Sequence, residues 1–586
     1  CHVWLTPVYL VLVFGAVSAA IVLYRVFTFN DCPDAHRELK RQITEATDDL
    51  RRKGFNVGQC VAKSDANSIS VRIGGNEYIG AEKVVLDQTI GAFTGIPYAK
   101  PPLRELRFRK PLPIGTSGVI AANEWPDACP QSDLSLKQSE DCLKLNVWTT
   151  DTTASKPVMV WLHGGGFTWG AGHTGEVLSA ATDVVVVTIN YRLGALGFLR
   201  ADREDAPGNQ GLWDQTLALE WVNDNIRYFG GDDKRITLFG FSAGSRSISM
   251  HLLSQHSRHL FRNAIMMSGS ALSLLSNSDK TYVRDVYLKL AKAVGCQPVS
   301  TTFTDDVMKC LRDIPPERLV SAQHSPEVLD SEFAFFPNII FGDEFMADSP
   351  LTAVSHKETK KKINLLLGTT DDEGSWILNR ISGEKFTKPL TKTDAIRQMQ
   401  AIYDDLKLES PIDGQSIAKF YLETIPEEAN PDVWLKTTGV SLGDFFITCP
   451  ALKFAETLHQ SDPKHNKIYG YYWSSKGSGK LCTEWAGACH GSDVGPALGY
   501  PFLSTKSTNA QRELSMHFMK TIAHFAQHDR PLAQEGIQWP HYYDIDGLTI
   551  APFYEFSGHL SHNVTNFGVG LKHIICHQIF NKYYNN

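Results

Sequence analysis

The sequence of 586 residues contains no internal repeat, no low-complexity tract and no excess of positive charge. Lysine and arginine number 57 against 64 aspartates and glutamates, and the net charge of −7 argues against nucleic-acid binding as the main role. The 11 cysteines lack the C-x2-C or paired-histidine spacing of a zinc ribbon or finger. The composition, with 42% hydrophobic and 21% charged residues, is that of an ordinary globular protein and indicates no function by itself.

Several cysteines nevertheless lie close together along the chain. The near neighbours are Cys129 and Cys142, Cys296 and Cys310, and Cys482 and Cys489. Without metal-ligand spacing, disulfides formed in an oxidising compartment are the better interpretation, and buried free thiols are the alternative.

The N-terminal region predicts the secretory route. Residues 1–25 include an uncharged apolar run, at 3–24, that is long enough to cross a bilayer as a helix. It favours a transmembrane signal anchor that leaves the globular part outside the cell. The alternative is a signal peptide cleaved near the small residues 16–19, which gives a secreted protein. Asn563 begins an Asn-Val-Thr sequon, and a glycan there requires the same route.

Three regions follow from composition and pattern: residues 1–25, a charged segment at 26–63 that predicts a solvated helical stalk, and a globular domain at 64–586. Strand-like and helix-like segments alternate within the globular domain, which predicts an α/β fold around a mixed, mostly parallel sheet. Residues 158–162 and 183–190 predict strands buried on both faces.

Ser242 is the candidate nucleophile. It occupies the centre of Gly-Phe-Ser-Ala-Gly, where a predicted strand at 235–239 breaks at Gly240 and a helix follows to about residue 254. Such a turn exposes the hydroxyl and places backbone amides and the helix N-terminus beside a developing oxyanion. The pentapeptide alone is a weak signal. The glycine-rich strand end at 163–166 strengthens it, because hydrolases of this kind build the rest of the oxyanion hole there.

A serine nucleophile needs a base and an acid, and the chain order of such hydrolases places both downstream. Asp371, Asp372 and Glu373 follow a predicted strand at 365–367, where sites in open α/β sheets lie. The candidate histidines are His459, His465, His490, His517, His524, His528 and His541. His490 lies in a loop of small residues, which suits a catalytic base better than a helix face does.

Six motifs, at 93–99, 139–143, 208–215, 229–232, 268–270 and 539–540, resemble those of the type-B carboxylesterase and cholinesterase family over roughly residues 85–580. The resemblance implies the α/β-hydrolase fold, with a large, mostly parallel central sheet flanked by helices. It implies a serine carboxylic ester hydrolase that acts on a small-molecule ester and needs no metal or organic cofactor.

The same resemblance implies roles for individual residues. Ser242 is the nucleophile, Glu373 the triad acid and His490 the general base. The oxyanion-hole amides belong to Gly165, Gly166 and Ala243. The implied disulfides are Cys129–Cys142, Cys296–Cys310 and Cys449–Cys576. Cys482–Cys489 has no family counterpart, and such a bridge is expected to stiffen the loop that presents the histidine.

Departures from the family bear on the substrate. Phe241 stands where cholinesterases carry Glu, and the loop between Cys129 and Cys142 lacks the aromatic residue that binds a quaternary ammonium by cation–π attraction. An uncharged ester is therefore the expected substrate. The expected pocket residues are Phe241, Phe333, Phe335 and Trp376. Asp493 matches a family acid beside the base, and Arg246 replaces a small residue near the nucleophile.

Two alternatives stay open. One is a cholinesterase with an altered choline site. The other is a tethered adhesion or binding protein of the same fold that is catalytically weak or inactive. The sequence leaves the oligomeric state open.

Overall fold

A computed structural model describes residues 68–115, 118–273, 279–297, 301–329, 336, 339–381, 389, 391–404, 413–477, 482–532, 539–542, 551–558, 567–572 and 574–581. The predicted anchor, the predicted stalk, Phe333, Phe335 and Asn563 lie outside the described residues. The described residues belong to one compact unit, Asn67–Asn586. None of their helices is both long and apolar enough to cross a membrane.

Fifteen strands are assigned among the described residues. They are β1 (Ser68–Ile73), β2 (Asn76–Val85), β3 (Gln88–Pro97), β4 (Val119–Ala121), β5 (Lys144–Thr149), β6 (Lys156–Leu162), β7 (Val185–Ile189), β8 (Arg200–Arg203), β9 (Ala206–Pro207), β10 (Gly231–Phe241), β11 (Asn263–Met267), β12 (Asn364–Thr370), β13 (Lys467–Trp473), β14 (Pro552–Phe556) and β15 (Phe567–Val569).

The α-helices of the described residues are α1 (Glu176–Thr182), α2 (Gly194–Phe198), α3 (Gln210–Asn225), α4 (Ala243–Leu253), α5 (Lys280–Ala293), α6 (Asp305–Asp313), α7 (Pro316–Ala322), α8 (Pro350–Ser355), α9 (Ser375–Ile381), α10 (Lys392–Asp404), α11 (Gly414–Leu422), α12 (Pro431–Gly443), α13 (Cys449–Ser461), α14 (Val494–Ala497), α15 (Tyr500–Leu503) and α16 (Asn509–His528). Short 3-10 segments span Arg104–Leu106 and Ile226–Phe229, and π-helical segments span Asp444–Thr448 and Ile575–Phe580.

Thirteen strands form one sheet in the order β1-β2-β3-β5-β7-β6-β10-β11-β12-β13-β14-β15, with β4 beside β2, while β8 and β9 pair separately. The pairs from β7 through β14 are parallel. The pairs toward the two edges, β1-β2, β2-β3, β3-β5, β5-β7 and β14-β15, are antiparallel. The predicted fold, a large sheet with a mostly parallel centre, is confirmed.

Strand β6 shows why the sequences of the central strands are apolar at every position and do not alternate with polar residues. Val158, Val160 and Leu162 belong to one buried core, whereas Met159 and Trp161 belong to another on the opposite face. Side chains alternate between the faces of a strand, so both faces are covered and no position is free to be polar. Helix α4 packs on the first face and helices α1 and α16 on the second.

The parallel register brings the candidate residues to one edge. The strands β6, β10 and β12 end at Leu162, Phe241 and Thr370. The glycine run, Ser242 and the three consecutive acids follow these ends directly. Since parallel strands share the edge at which they end, segments far apart in sequence meet there.

Candidate active site

Ser242 lies in a strained turn between β10 and α4. The strand continues through Gly240 to Phe241 and does not break at Gly240 as the sequence predicts, because Gly240 and Phe241 still pair with Met266 and Met267 of β11. Ser242 itself has φ 55° and ψ −115°, and its amide donates to the carbonyl of Met267 at 2.8 Å. A non-glycine residue in that conformation stores on the order of 1–3 kcal/mol of strain.

Glycine at position 240 is required by the end of β6. A Cβ there would stand 2.7 Å from the carbonyl oxygen of Leu162 and 3.0 Å from the carbonyl carbon of Gly244. Any larger residue would push β6 and the turn apart. Close packing against β6 therefore explains the first glycine of the motif. The helix that follows the motif begins at Ala243.

Three predicted residues from three segments form a continuous hydrogen-bonded row. The Ser242 hydroxyl lies 2.9 Å from His490 Nε2, and His490 Nδ1 lies 2.6 Å from Glu373 Oε2. The histidine is 3% exposed and the glutamate 2%. The other glutamate oxygen accepts from the amide of Thr370 at 2.7 Å, which fixes the carboxylate at the strand end.

The structure distinguishes the three consecutive acids. Asp371 accepts from Lys436 and Tyr472, each at 2.8 Å. Asp372 accepts from the amides of Ser375 and Gly487, each at 3.0 Å, and from the hydroxyl of Ser375. Among the described residues only Glu373 of the three bonds to a histidine.

Aromatic rings hold His490 from two sides. The Phe241 ring lies 4.5 Å from the imidazole at 45°, and the Trp376 ring lies nearly parallel to it at 5.3 Å. Phe241 is only 9% exposed, so most of its surface packs against the histidine loop and the glycine run. Gly491, with φ +85°, accommodates this ring, since a Cβ there would stand 2.8 Å from it.

The glycine run after β6 faces the Ser242 turn. A Cβ on Gly164 would stand 2.7 Å from the Phe241 ring, so the two segments touch. Gly165 has φ +106° and Gly166 has φ +60°, conformations that glycine adopts without cost. Among the described residues nothing accepts from the amide of Gly165. The amide of Ala243, at the first position of α4, also points out of the helix.

Comparison with known proteins places the chain in a family. The model of the carboxylesterase family matches residues 70–552. The chain belongs to the carboxylesterase family. It is 34% identical over 490 residues to Acetylcholinesterase-1 of Trittame loki, covering 78% of this chain and 85% of the relative. It is 34% identical to a Cholinesterase of Mus musculus, covering 79% of each. It is 33% identical over 515 residues to Acetylcholinesterase 1 of Caenorhabditis elegans, covering 80% and 82%.

The predicted family, fold and class of enzyme are thus confirmed: the protein is a serine carboxylic ester hydrolase of the carboxylesterase family. A second family model, described as dolichol-phosphate mannosyltransferase subunit 3, matches residues 1–56, which lie outside the described residues.

The esterase carries a buried carboxyl behind its histidine. Asp493 is fully buried and accepts a hydrogen bond from the Tyr471 hydroxyl at 2.7 Å, while its other oxygen has no described partner. Burial, with a smaller contribution from the charge of Glu373, raises the pKa of Asp493 to about 7. A carboxyl with this pKa is divided between its neutral and charged forms near neutral pH.

Two buried bases flank the Ser242 turn of the esterase. His163, stacked on Tyr191 at 4.3 Å, lies beside the glycine run, and burial lowers its pKa to about 3, so it is neutral. Arg246 lies one turn into α4, with its guanidinium 5.6 Å from the Phe167 ring, and burial lowers its pKa to about 10. The Arg246 amide still donates to the carbonyl of Ser242 at 2.8 Å, so α4 begins regularly beside this cation.

Four disulfides are present among the described residues. They are Cys129–Cys142, Cys296–Cys310, Cys449–Cys576 and Cys482–Cys489. The last ends one residue before His490, in the loop where the carbonyl of Ala488 accepts from the amide of Asp372 at 2.9 Å. Cross-links of this kind persist in oxidising compartments and fit the secretory pathway.

The sequence predicted nothing about Thr370 and Tyr471, which donate hydrogen bonds to Glu373 and Asp493. Thr370 acts through its backbone amide, for which side-chain patterns give no signal. Tyr471 lies in β13, 22 residues before Asp493, and its partner is set by the packing of the strand.

Proposed function

We propose that the esterase hydrolyses neutral carboxylic esters through a triad of Ser242, His490 and Glu373 and an acyl-enzyme intermediate. The observation that carries the proposal is the buried hydrogen-bonded row of 2.9 Å and 2.6 Å that joins these three side chains. A hydroxyl within hydrogen-bond reach of a base, with that base oriented by an acid, is the arrangement that activates a serine.

In the proposed reaction, His490 Nε2 takes the proton of the Ser242 hydroxyl while the serine oxygen bonds to the carbonyl carbon. Glu373 keeps Nδ1 protonated and stabilises the imidazolium. The imidazolium then gives its proton to the departing alkoxide, which leaves as the alcohol. Water, deprotonated by the same histidine, attacks the acyl-enzyme, and the carboxylic acid is released as Ser242 regains its proton.

The amides of Gly165, Gly166 and Ala243 are proposed to hold the oxyanion of both tetrahedral intermediates. The positive φ angles of the two glycines and the start of α4 at Ala243 support this assignment. One such donor contributes roughly 10²- to 10³-fold to kcat.

Labelling with a fluorophosphonate tests the nucleophile. Ser242→Ala should abolish both labelling and ester hydrolysis, with an unchanged thermal unfolding temperature. Ser249→Ala is the matched control, since Ser249 lies on the same helix and its hydroxyl donates within that helix to the carbonyl of Arg246. Labelling of the wild type that persists in Ser242→Ala refutes the proposal, and so does a wild type that takes up no label. The second result would favour the catalytically weak or inactive binding protein.

The choice of a neutral ester rests on charge. Phe241 places an aromatic ring beside His490, and Asp493, with a pKa of about 7, is bound to Tyr471. The second candidate is a cholinesterase with an altered choline site, which the names of the relatives favour. The test compares kcat/KM for acetylthiocholine with that for a neutral thioester of similar size. A preference of tenfold or more for the choline ester refutes the neutral-ester proposal.

We also propose that residues 1–25 anchor residues 64–586, as the catalytic domain, on the extracellular side of a membrane through the segment 26–63. The apolar run at 3–24, the disulfides and the sequon at Asn563 support this topology. In cells that express the chain, the enzyme should stay with membranes after alkaline carbonate extraction and should lose a glycan on treatment with an N-glycosidase. Recovery in the medium supports a cleaved signal peptide instead.

A further inference from the structure

Trp169 is an exposed aromatic side chain in the loop that follows β6. It is 42% exposed and belongs to none of the buried cores of the described residues. The indole lies against the backbone of Gly165, since a Cβ on that glycine would stand 3.1 Å from indole Cδ2. The Trp169 amide also donates to the carbonyl of Gly165 at 3.1 Å, which closes a tight turn. A large apolar ring is thus held, half in solvent, beside a proposed oxyanion donor.

The backbone that carries this ring is fixed by a buried amide side chain. Gln131, 2% exposed, accepts from the amide of Gly170 at 2.8 Å and donates to the carbonyl of the same glycine at 2.7 Å. It also donates to the carbonyl of Cys129 at 3.0 Å. The disulfide loop of Cys129 and Cys142 therefore clamps the residue that follows Trp169. Three hydrogen bonds to a buried side chain indicate that the backbone next to Trp169 is held in place.

A series of contacts joins Trp169 to the histidine of the triad. The Gly165 backbone beneath the indole adjoins Gly164, Gly164 touches the Phe241 ring, and that ring touches Gly491 and His490. His490 gives its proton to the departing alcohol in the proposed reaction. The indole is therefore joined, through Gly165, Gly164 and Phe241, to the histidine that serves the departing alcohol.

We infer that Trp169 is the wall against which the alcohol part of the ester packs, and that it selects esters of aromatic alcohols. The inference rests on the proposed function and names the substrate class. An indole offers a flat apolar face for offset stacking, which adds to the contribution of the area buried.

A neutral ring suits this position better than a cation. Glu373 already bonds to His490 and Thr370, and Asp493, whose pKa burial raises to about 7, bonds to Tyr471 through one oxygen. A cationic alcohol would gain the indole face, but a cation–π contact at an exposed ring is weak.

The test uses three acetate esters, benzyl, ethyl and choline, which share one acyl group and differ in the alcohol. Trp169→Ala should lower kcat/KM for benzyl acetate relative to ethyl acetate by about tenfold, which corresponds to about 1.4 kcal/mol of lost contact. Trp169→Phe, which keeps an aromatic face, should keep this ratio within about threefold of wild type. The control is Trp125→Ala, because Trp125 is 49% exposed but lies in another loop, 6.0 Å from the Trp148 ring. It should leave the ratio unchanged.

The rate of fluorophosphonate labelling, measured in each variant, separates this inference from the proposed function. A wild type that neither labels nor hydrolyses any of the esters overturns both. If labelling is retained but the benzyl-to-ethyl ratio of Trp169→Ala equals that of wild type, the inference alone is wrong. A larger loss for the choline ester than for benzyl acetate also overturns it, because the wall would then select a cation.

Discussion

Replacing Glu373 by glutamine removes the negative charge at the end of the hydrogen-bonded row while keeping the volume of the side chain. In the native site this carboxylate lies 2.6 Å from His490 Nδ1, is 2% exposed, and accepts from the Thr370 amide at 2.7 Å. A glutamine can still accept one of these bonds. It offers no charge to the imidazolium that forms when His490 takes the proton of Ser242.

The expected magnitude follows from burial. A hydrogen bond to a charged group contributes about 1.5–3 kcal/mol, and leaving one member of a buried ion pair without its partner costs about 3–5 kcal/mol. In the transition state the histidine carries that charge, so the loss should amount to about 2–5 kcal/mol. At about 1.4 kcal/mol for each factor of ten, kcat/KM should fall by about 30- to 5,000-fold.

The assay is steady-state hydrolysis of a neutral acetate ester, with the rate of fluorophosphonate labelling as a second measurement. Both should fall together in Glu373→Gln. Asp371→Asn is the matched control, because this substitution removes the same charge from the same strand end. Asp371 bonds to Lys436 and Tyr472, and not to the histidine. If Glu373→Gln retains kcat/KM within threefold of wild type, or Asp371→Asn loses as much activity, the triad assignment is refuted.

Three further predictions concern the surroundings of the site. Gly165→Ala should lower kcat by about 10²-fold or more, since φ +106° strains an alanine and moves a proposed oxyanion donor; a kcat within threefold of wild type would contradict this. Burial raises the pKa of Asp493 to about 7, so the free energy of unfolding should fall by up to about 4 kcal/mol as pH rises from about 4 to about 7. Over that range the unfolded chain releases the Asp493 proton while the folded protein retains it. Asp493→Asn should remove this loss. The measurement is the change in thermal unfolding temperature between pH 5 and pH 8, and an equal change in wild type and Asp493→Asn would disprove the prediction. Removing the Cys482–Cys489 bridge by a double alanine substitution should lower stability by about 2–3 kcal/mol in denaturant titration, as expected for a short closed loop; a loss below about 0.5 kcal/mol argues against it.

Local chemistry made part of this enzyme predictable. The strand β6 appears in the sequence as an unbroken apolar run because both of its faces are buried. Gly240 and Ser242 mark a strand-to-helix turn because only glycine admits the close approach of the neighbouring strand. Such requirements act within a few residues of chain, so a single sequence displays them.

The hydrogen-bond partners of Ser242 could not be predicted from local sequence in the same way. His490 lies 248 positions away along the chain, and Glu373 lies 117 positions from His490. Composition and spacing left seven histidines and three adjacent acids as candidates. The loop of small residues favoured His490 among the histidines, and only the family resemblance chose Glu373 among the acids. A hydrogen bond between distant segments depends on the parallel register that brings strand ends together, which no local pattern encodes.

The sequence by itself determined the turn at Ser242, the glycine run and the strands buried on both faces, because backbone sterics and burial act on neighbouring residues. Tertiary structure alone decided that Asp371 and Asp372 bond away from the histidine, that Phe241 packs against His490, and that Trp169 stays half in solvent. Those outcomes depend on which distant surfaces meet, and they are set by the packing of the whole sheet and its loops.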